Sequence, residues 1–119
     1  MSDTPTFDVA VVGLDAQRLR LIETVFRHLR YNRYAFRLAA PEAWASADLL
    51  IACVDDPAGR LALERARRAD PWVPSIAVGD GPTPQGVRHA IRIGDLTRQL
   101  LPILNRLVEL DALAPGRAA

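Results

Sequence analysis

At 119 residues the chain has the length of one domain, and half of it is apolar by count, enough to close a core. A net charge of +1 implies no general attraction to nucleic acid or to a membrane surface, and no apolar run approaches the roughly 20 residues needed to span a bilayer. All 15 basic residues are Arg, which removes Lys as a Schiff base or phosphate ligand, and a single Cys removes an intramolecular disulfide and a multi-Cys metal site.

The polar start, Met1 to Thr6, has no basic-then-apolar signal, so a cytoplasmic protein is expected. Phe7 to Val12 is a β-branched run closed by Gly13 and predicts a buried first strand. Asp15 stands as an N-cap for a helix from Ala16 to about Arg30, with Ala16, Leu19, Ile22, Val25, Phe26 and Leu29 on one stripe. Tyr34, Phe36 and Leu38 alternate with Ala35 and Arg37 and predict a short second strand. Pro41 to Trp44 can open a brief helix, with Trp44 covering the core edge.

Asp48 to Pro57 is an apolar run that ends in two acids and a proline. It predicts a third buried strand, Leu49 to Val54, with Cys53 at its end. The turn Asp56-Pro57-Ala58-Gly59 leads into a helix from Arg60 to Ala69, with Leu61, Leu63 and Ala66 available for burial, and Asp70-Pro71 ends it. Val73 to Val78 is a fourth strand, with Pro74 near its start. A breaker-rich loop, Gly79 to Pro84, follows. Val87 to Ile93 alternates as a fifth strand whose first half can also start a helix. Asp95 caps a last helix on Leu96, Leu100, Leu101, Leu104, Leu107 and Val108, with Pro102 kinking it or setting its start. Residues 1–111 form the expected domain and 112–119 a frayed tail.

Strands alternating with helices in this order predict an α/β fold with a parallel sheet covered on both faces. Its strand order is expected to be flavodoxin-like or truncated Rossmann.

The order and spacing of Val9 to Val12, Asp48 to Pro57, Pro71 to Val78 and Gly94 to Leu101 resemble a bacterial response-regulator receiver domain over nearly the whole chain. The resemblance implies a flavodoxin-like five-stranded parallel sheet. It also implies a site for phosphoryl transfer onto an Asp at the end of the third strand. Here that position is Cys53. The acid pair for Mg²⁺ is matched by Gly13 and Leu14, with only Asp15 left. The phosphate-sensing hydroxyl is matched by Gly79, and the Lys by Ile93, or by Arg92 one position away. A phosphoaspartate site needs a carboxylate nucleophile, further carboxylates for the cation and a cationic side chain for the new charge. The expectation is a degenerate receiver, not an enzyme, that takes no phosphate, metal or cofactor. Asp80 to Gly86 leaves no room for the usual fourth helix, which is expected to be shortened or missing. This is similar to the shortened receiver of flagellar master regulators of the enhancer-binding activator class. No ATPase or DNA-binding segment follows, so either a stand-alone protein or an excised domain is expected.

Competing uses of these residues are simpler. Cys53 reads as a small buried hydrophobe before a reactive thiol, Asp15 as a cap, and Asp55 and Asp56 as turn residues before metal ligands. A single Gly after the first strand is not a dinucleotide fingerprint. His28 and His89 lie near no nucleophile. Arg60, Arg65, Arg67 and Arg68, or Arg27, Arg30, Arg33 and Arg37, mostly solvate a face, although either group suits an acidic partner or a cyclic dinucleotide. The last helix carries more Leu than one buried stripe needs, and the missing helix uncovers the fifth strand. A protein partner or a second copy is therefore expected at Ile91, Leu100, Leu104 and Leu107, with no direct nucleic acid and no membrane contact. The expected function is a phosphorylation-independent signalling domain acting by protein–protein contact. The alternative is an α/β domain that senses a nucleotide or cyclic dinucleotide.

Overall fold

The computed structural model describes residues 4–29, 31–40, 46–70 and 73–110. The brief helix at Pro41 to Trp44, Trp72 as a core cover, Arg30, Pro71 and the tail from Ala112 lie outside the described residues.

The elements run β1 (Thr6–Val12), α1 (Ala16–Arg27), β2 (Ala35–Leu38), β3 (Leu49–Cys53), α2 (Pro57–Ala69), β4 (Ser75–Val78), β5 (Ala90–Ile91) and α3 (Leu96–Leu110). The strands form one five-stranded sheet in the order β2-β1-β3-β4-β5, and every pairing is parallel. This is the flavodoxin-like order. Residues 79–89 connect β4 to β5 without a helix, so the fourth helix is absent.

Strand side chains alternate between two cores. Phe7, Val9, Phe36, Leu49, Ile51, Ile76, Val78 and Ile91 face Ile22 of α1 and the leucines of α3. Ala10, Val12, Leu50, Ala52 and Ala77 face Leu63 of α2. β3 is buried along its whole length, as its unbroken apolar run requires in the centre of a parallel sheet. Its amino end is fixed by Asp48, only 2 % exposed, whose Oδ2 accepts the Asp8 N–H at 2.9 Å.

Several expectations are corrected. α1 stops at Arg27, where the His28 N–H turns back to the Val25 carbonyl. α2 starts at Pro57, not Arg60: the Asp56 carboxylate accepts the Ala58 N–H at 2.8 Å, and Pro suits the first helical position. With Gly59 inside the helix, the inward stripe becomes Gly59, Ala62, Leu63 and Ala66, which leaves Leu61 at the surface, 45 % exposed. β4 begins at Ser75. β5 is only Ala90–Ile91, paired with Ala77 and Val78 of β4, and Ile93–Asp95 forms a 3-10 turn. Pro102 neither starts nor ends α3. It lies on the exposed side, where water can satisfy the carbonyl it leaves unbonded.

The largest correction concerns the expected interface. Ile91, Leu100, Leu104 and Leu107 are all at most 1 % exposed. α3 packs against both the sheet and α1, so it buries a wider stripe than a helix lying on a sheet alone. Those four side chains are core, and on α3 the large apolar side chain left exposed is Leu110.

Candidate functional site

The chain turns to opposite faces after β1 and β3, so the crevice at their carboxyl ends is where this topology places ligands. Gly13 follows β1 with a φ of 88°, a conformation that favours glycine. A Cβ there would lie 3.2 Å from the Cys53 Cβ and 3.1 Å from the Gly59 Cα. A Cβ on Gly59 would fall 2.0 Å from the Cys53 carbonyl oxygen. The first turn of α2 therefore rests directly on the end of β3, and the crevice is filled by backbone. Cys53 is a free, buried thiol.

The residues expected around this site do come together in part. Leu14 and Ile93 are half-buried and pack onto the α1/α3 core. Asp15 belongs to its own helix: one carboxylate oxygen accepts the Arg18 N–H at 2.8 Å and the other meets the Arg18 guanidinium at 2.6 Å. Asp56 is the α2 cap. Among the described residues no group of three or more His, Cys, Asp or Glu is placed to hold a metal ion.

Asp55 has a role that its sequence context does not signal. Its carboxylate accepts the Asp80 and Gly81 N–H groups, each at 2.8 Å, and so ties the end of β3 to the loop after β4. These two backbone bonds hold its pKa below the usual aspartate value, with a smaller contribution from Arg60. Gly79 lies beneath this latch, and a Cβ there would be 2.9 Å from the Asp55 carboxylate. The loop continues the chain of contacts, since Asp80 Oδ1 accepts the Ile93 N–H at 3.4 Å. A bond between residues this far apart in sequence leaves no pattern in spacing, so Asp55 reads locally as a turn residue.

The arginines divide. Arg27, Arg33 and Arg37 are dispersed into separate exposed pairs with Glu23, Glu109 and Asp8. Arg60, Arg67 and Arg68 line one groove beside Leu63 and Pro84. Another missed contact is the reciprocal pair Asn32 and Asn105, in which each side-chain amide donates to the other's oxygen, at 2.9 and 2.8 Å. It joins the approach to β2 with α3. No described helix is long and apolar enough to cross a membrane. Compared with known proteins, the chain matches no family model and no curated relative.

Proposed function

We propose that this chain is a receiver-like signalling domain whose output is set by protein contact and not by phosphorylation. The observation that carries this reading is the Asp55 latch. In a phosphoryl switch, an added anion reorders nearby loops through new charge-assisted bonds. Here a carboxylate belonging to the chain already accepts from the two loop amides after β4. Gly79 brings no hydroxyl to sense a phosphoryl group, Ile93 brings no cation, and Cys53 brings no carboxylate to receive one. The loop conformation is built in, and a partner reads it or shifts it by binding one state better than another.

The surface available for such contact is the rim around the buried leucines. Among the described residues it offers the exposed Ala90 on the edge strand, the half-buried Leu101 and the exposed Leu110. A second copy of the chain is one occupant, and sedimentation across a concentration series tests it. Self-association that Leu110→Arg abolishes supports the rim, and a monomer at every concentration removes the homodimer.

The phosphorylation arm is tested with acetyl phosphate and Mg²⁺, and separately with beryllofluoride and Mg²⁺. The intact mass stays unchanged and the backbone amide resonances of residues 79–93 do not move. A phosphoryl adduct, or a shift that requires Mg²⁺, sinks the proposal.

A further inference from the structure

At the other end of the sheet from Cys53, the start of β4 and the loop before β5 enclose a cavity of about 90 Å³. Arg67, Ser75, Arg88 and His89 form its polar wall and Val73 and Leu107 its apolar one, and among the described residues none of its lining is acidic. A cavity of this size holds ordered water and suits a compact tetrahedral oxyanion.

The polar wall is held by rigid elements. Arg67 comes from the last turns of α2 and is half-buried. Its Nη1 donates to the Gln85 carbonyl at 2.7 Å, which engages one of the five guanidinium N–H donors. Gly86 follows with a φ of 89°, a conformation that favours glycine, and lies against the Arg67 guanidinium. Ser75 is a buried residue at the head of β4. The His89 carbonyl accepts the Ala77 N–H at 2.9 Å, which fixes His89 to the sheet edge. Arg88 and His89 also make contacts within the protein. A planar guanidinium retains further donors when one edge is engaged.

Arg67 also lines a second, open groove of about 450 Å³, shared with Arg60, Leu63, Glu64, Arg68 and Pro84. Glu64 is paired with Arg68 at 2.8 Å. An apolar floor with cationic walls thus lies across the Arg67 side chain from the small cavity. We propose that the cavity binds the phosphoryl head of a phosphate monoester, whose compact apolar body lies in the groove against Leu63, Pro84 and the arginine stems. This goes beyond the contact-based reading above and does not depend on it.

The test is a titration of the full chain with inorganic phosphate and with phenyl phosphate, against sodium chloride and acetate at matched ionic strength, followed by amide resonances. Saturable shifts at Ser75, Gly86, Arg88 and His89 are expected with both phosphates, with shifts at Leu63 only for the ester. Phenyl phosphate binds about tenfold tighter than inorganic phosphate. Arg88→Gln, an exposed position, weakens both by about tenfold or more, the loss of one charge-assisted bond. Arg67→Lys weakens both as well, because an ammonium cannot reproduce the fork. No saturation at matched ionic strength overturns the site, as does unchanged affinity in both variants with native circular dichroism. Equal affinity for the two probes overturns the ester and leaves free phosphate as the ligand.

Discussion

On the α1/α3 face the sheet presents Phe7, Val9, Phe36, Ile51, Ile76, Val78 and Ile91, whereas on the α2 face it presents Ala10, Val12, Leu50, Ala52 and Ala77. The first set needs deep cover and receives two helices with five buried α3 residues between them and the sheet. The second needs less, and among the described residues it receives one helix and a loop. Small side chains on one face are what make the missing fourth helix tolerable, because they leave little apolar area to hide. They also let α2 approach until Gly59 touches β3, and they leave open the space that the arginine groove and the small cavity occupy. The deep face holds the fold together, and the shallow face has room for a ligand.

Matched Leu→Ala substitutions break or sharpen this contrast most directly. Leu104 and Leu63 are both fully buried, one on each face. Deletions of this kind cost ~2–5 kcal/mol, depending on how far the surroundings can collapse. Leu104→Ala belongs near the top of that range, about 4–5 kcal/mol, because α3 is enclosed by α1 and the sheet. Leu63→Ala belongs near the bottom, about 2–3 kcal/mol, because the adjoining groove relaxes into the space. Urea midpoints with unchanged slopes give the comparison. Equal losses would mean that the two faces are equally tight.

Gly59→Ala tests how closely the shallow face is closed. Its Cβ would sit 2.0 Å from the Cys53 carbonyl oxygen, a backbone atom that no rotamer change can move. α2 must shift, at roughly 1–3 kcal/mol or more. Gly94→Ala is the control: a Cβ there meets nothing within 4 Å, so its effect stays within about 0.5 kcal/mol. A tolerant Gly59→Ala would show that the first turn of α2 is not seated on β3.

Cys53→Asp places a carboxylate at the end of β3 where there is no pocket for it. The position is only 6 % exposed and is bounded by Gly13 and Gly59. Burial raises the pKa of the new carboxyl. A folded-state value above the unfolded one of about 3.9 means stability is highest below that pH and falls as pH rises through it. The variant therefore loses about 1–3 kcal/mol at neutral pH relative to the parent, and the gap narrows near pH 4. It still forms no phosphoryl adduct with acetyl phosphate and Mg²⁺. Adduct formation would place the chemistry one substitution away and count against a scaffold kept for its surfaces.

Strands β1 and β4 were legible because the apolar runs Phe7 to Val12 and Val73 to Val78 suit strands buried on both faces, although β4 begins only at Ser75. The absent fourth helix was legible from the prolines and glycines between Asp80 and Gly86. The fate of the α3 leucines was not. A count of apolar residues on one helix does not reveal that α1 covers a second side of it, so core residues looked like an interface. Gly59 was misplaced because Asp-Pro-Ala-Gly is both a turn and a capped helix start, and only its contact with Cys53 decides between them. Of the candidate site, Gly13 and Cys53 were set at one place by the family resemblance, and a Cβ on Gly13 would lie 3.2 Å from the Cys53 Cβ. The Asp55 latch and the Arg67 strap are non-local bonds, and local propensity carries no trace of them.

The smallest expected effect concerns that latch. The amides of Asp80 and Gly81 bond the ionised form of Asp55, so its pKa is lower in the folded chain than in the unfolded one. A depressed carboxyl contributes stability above the unfolded value of about 3.9, and that contribution is lost as pH falls through the folded value. Asp55→Asn keeps one acceptor oxygen and loses the charge, so it removes part of the latch and all of its pH dependence. The stability difference between parent and variant is constant above about pH 5 and closes below about pH 4. Asp55 is exposed, so solvent screens the effect and the global shift is slight. The clearer readout is local. Amide exchange at Asp80 and Gly81 accelerates in Asp55→Asn at neutral pH, while the central strands β1 and β3 keep their protection. Acceleration that spreads into β1 and β3 would mean that the loop is part of one cooperative core. Confinement to the loop means that the latch opens independently of the sheet it closes.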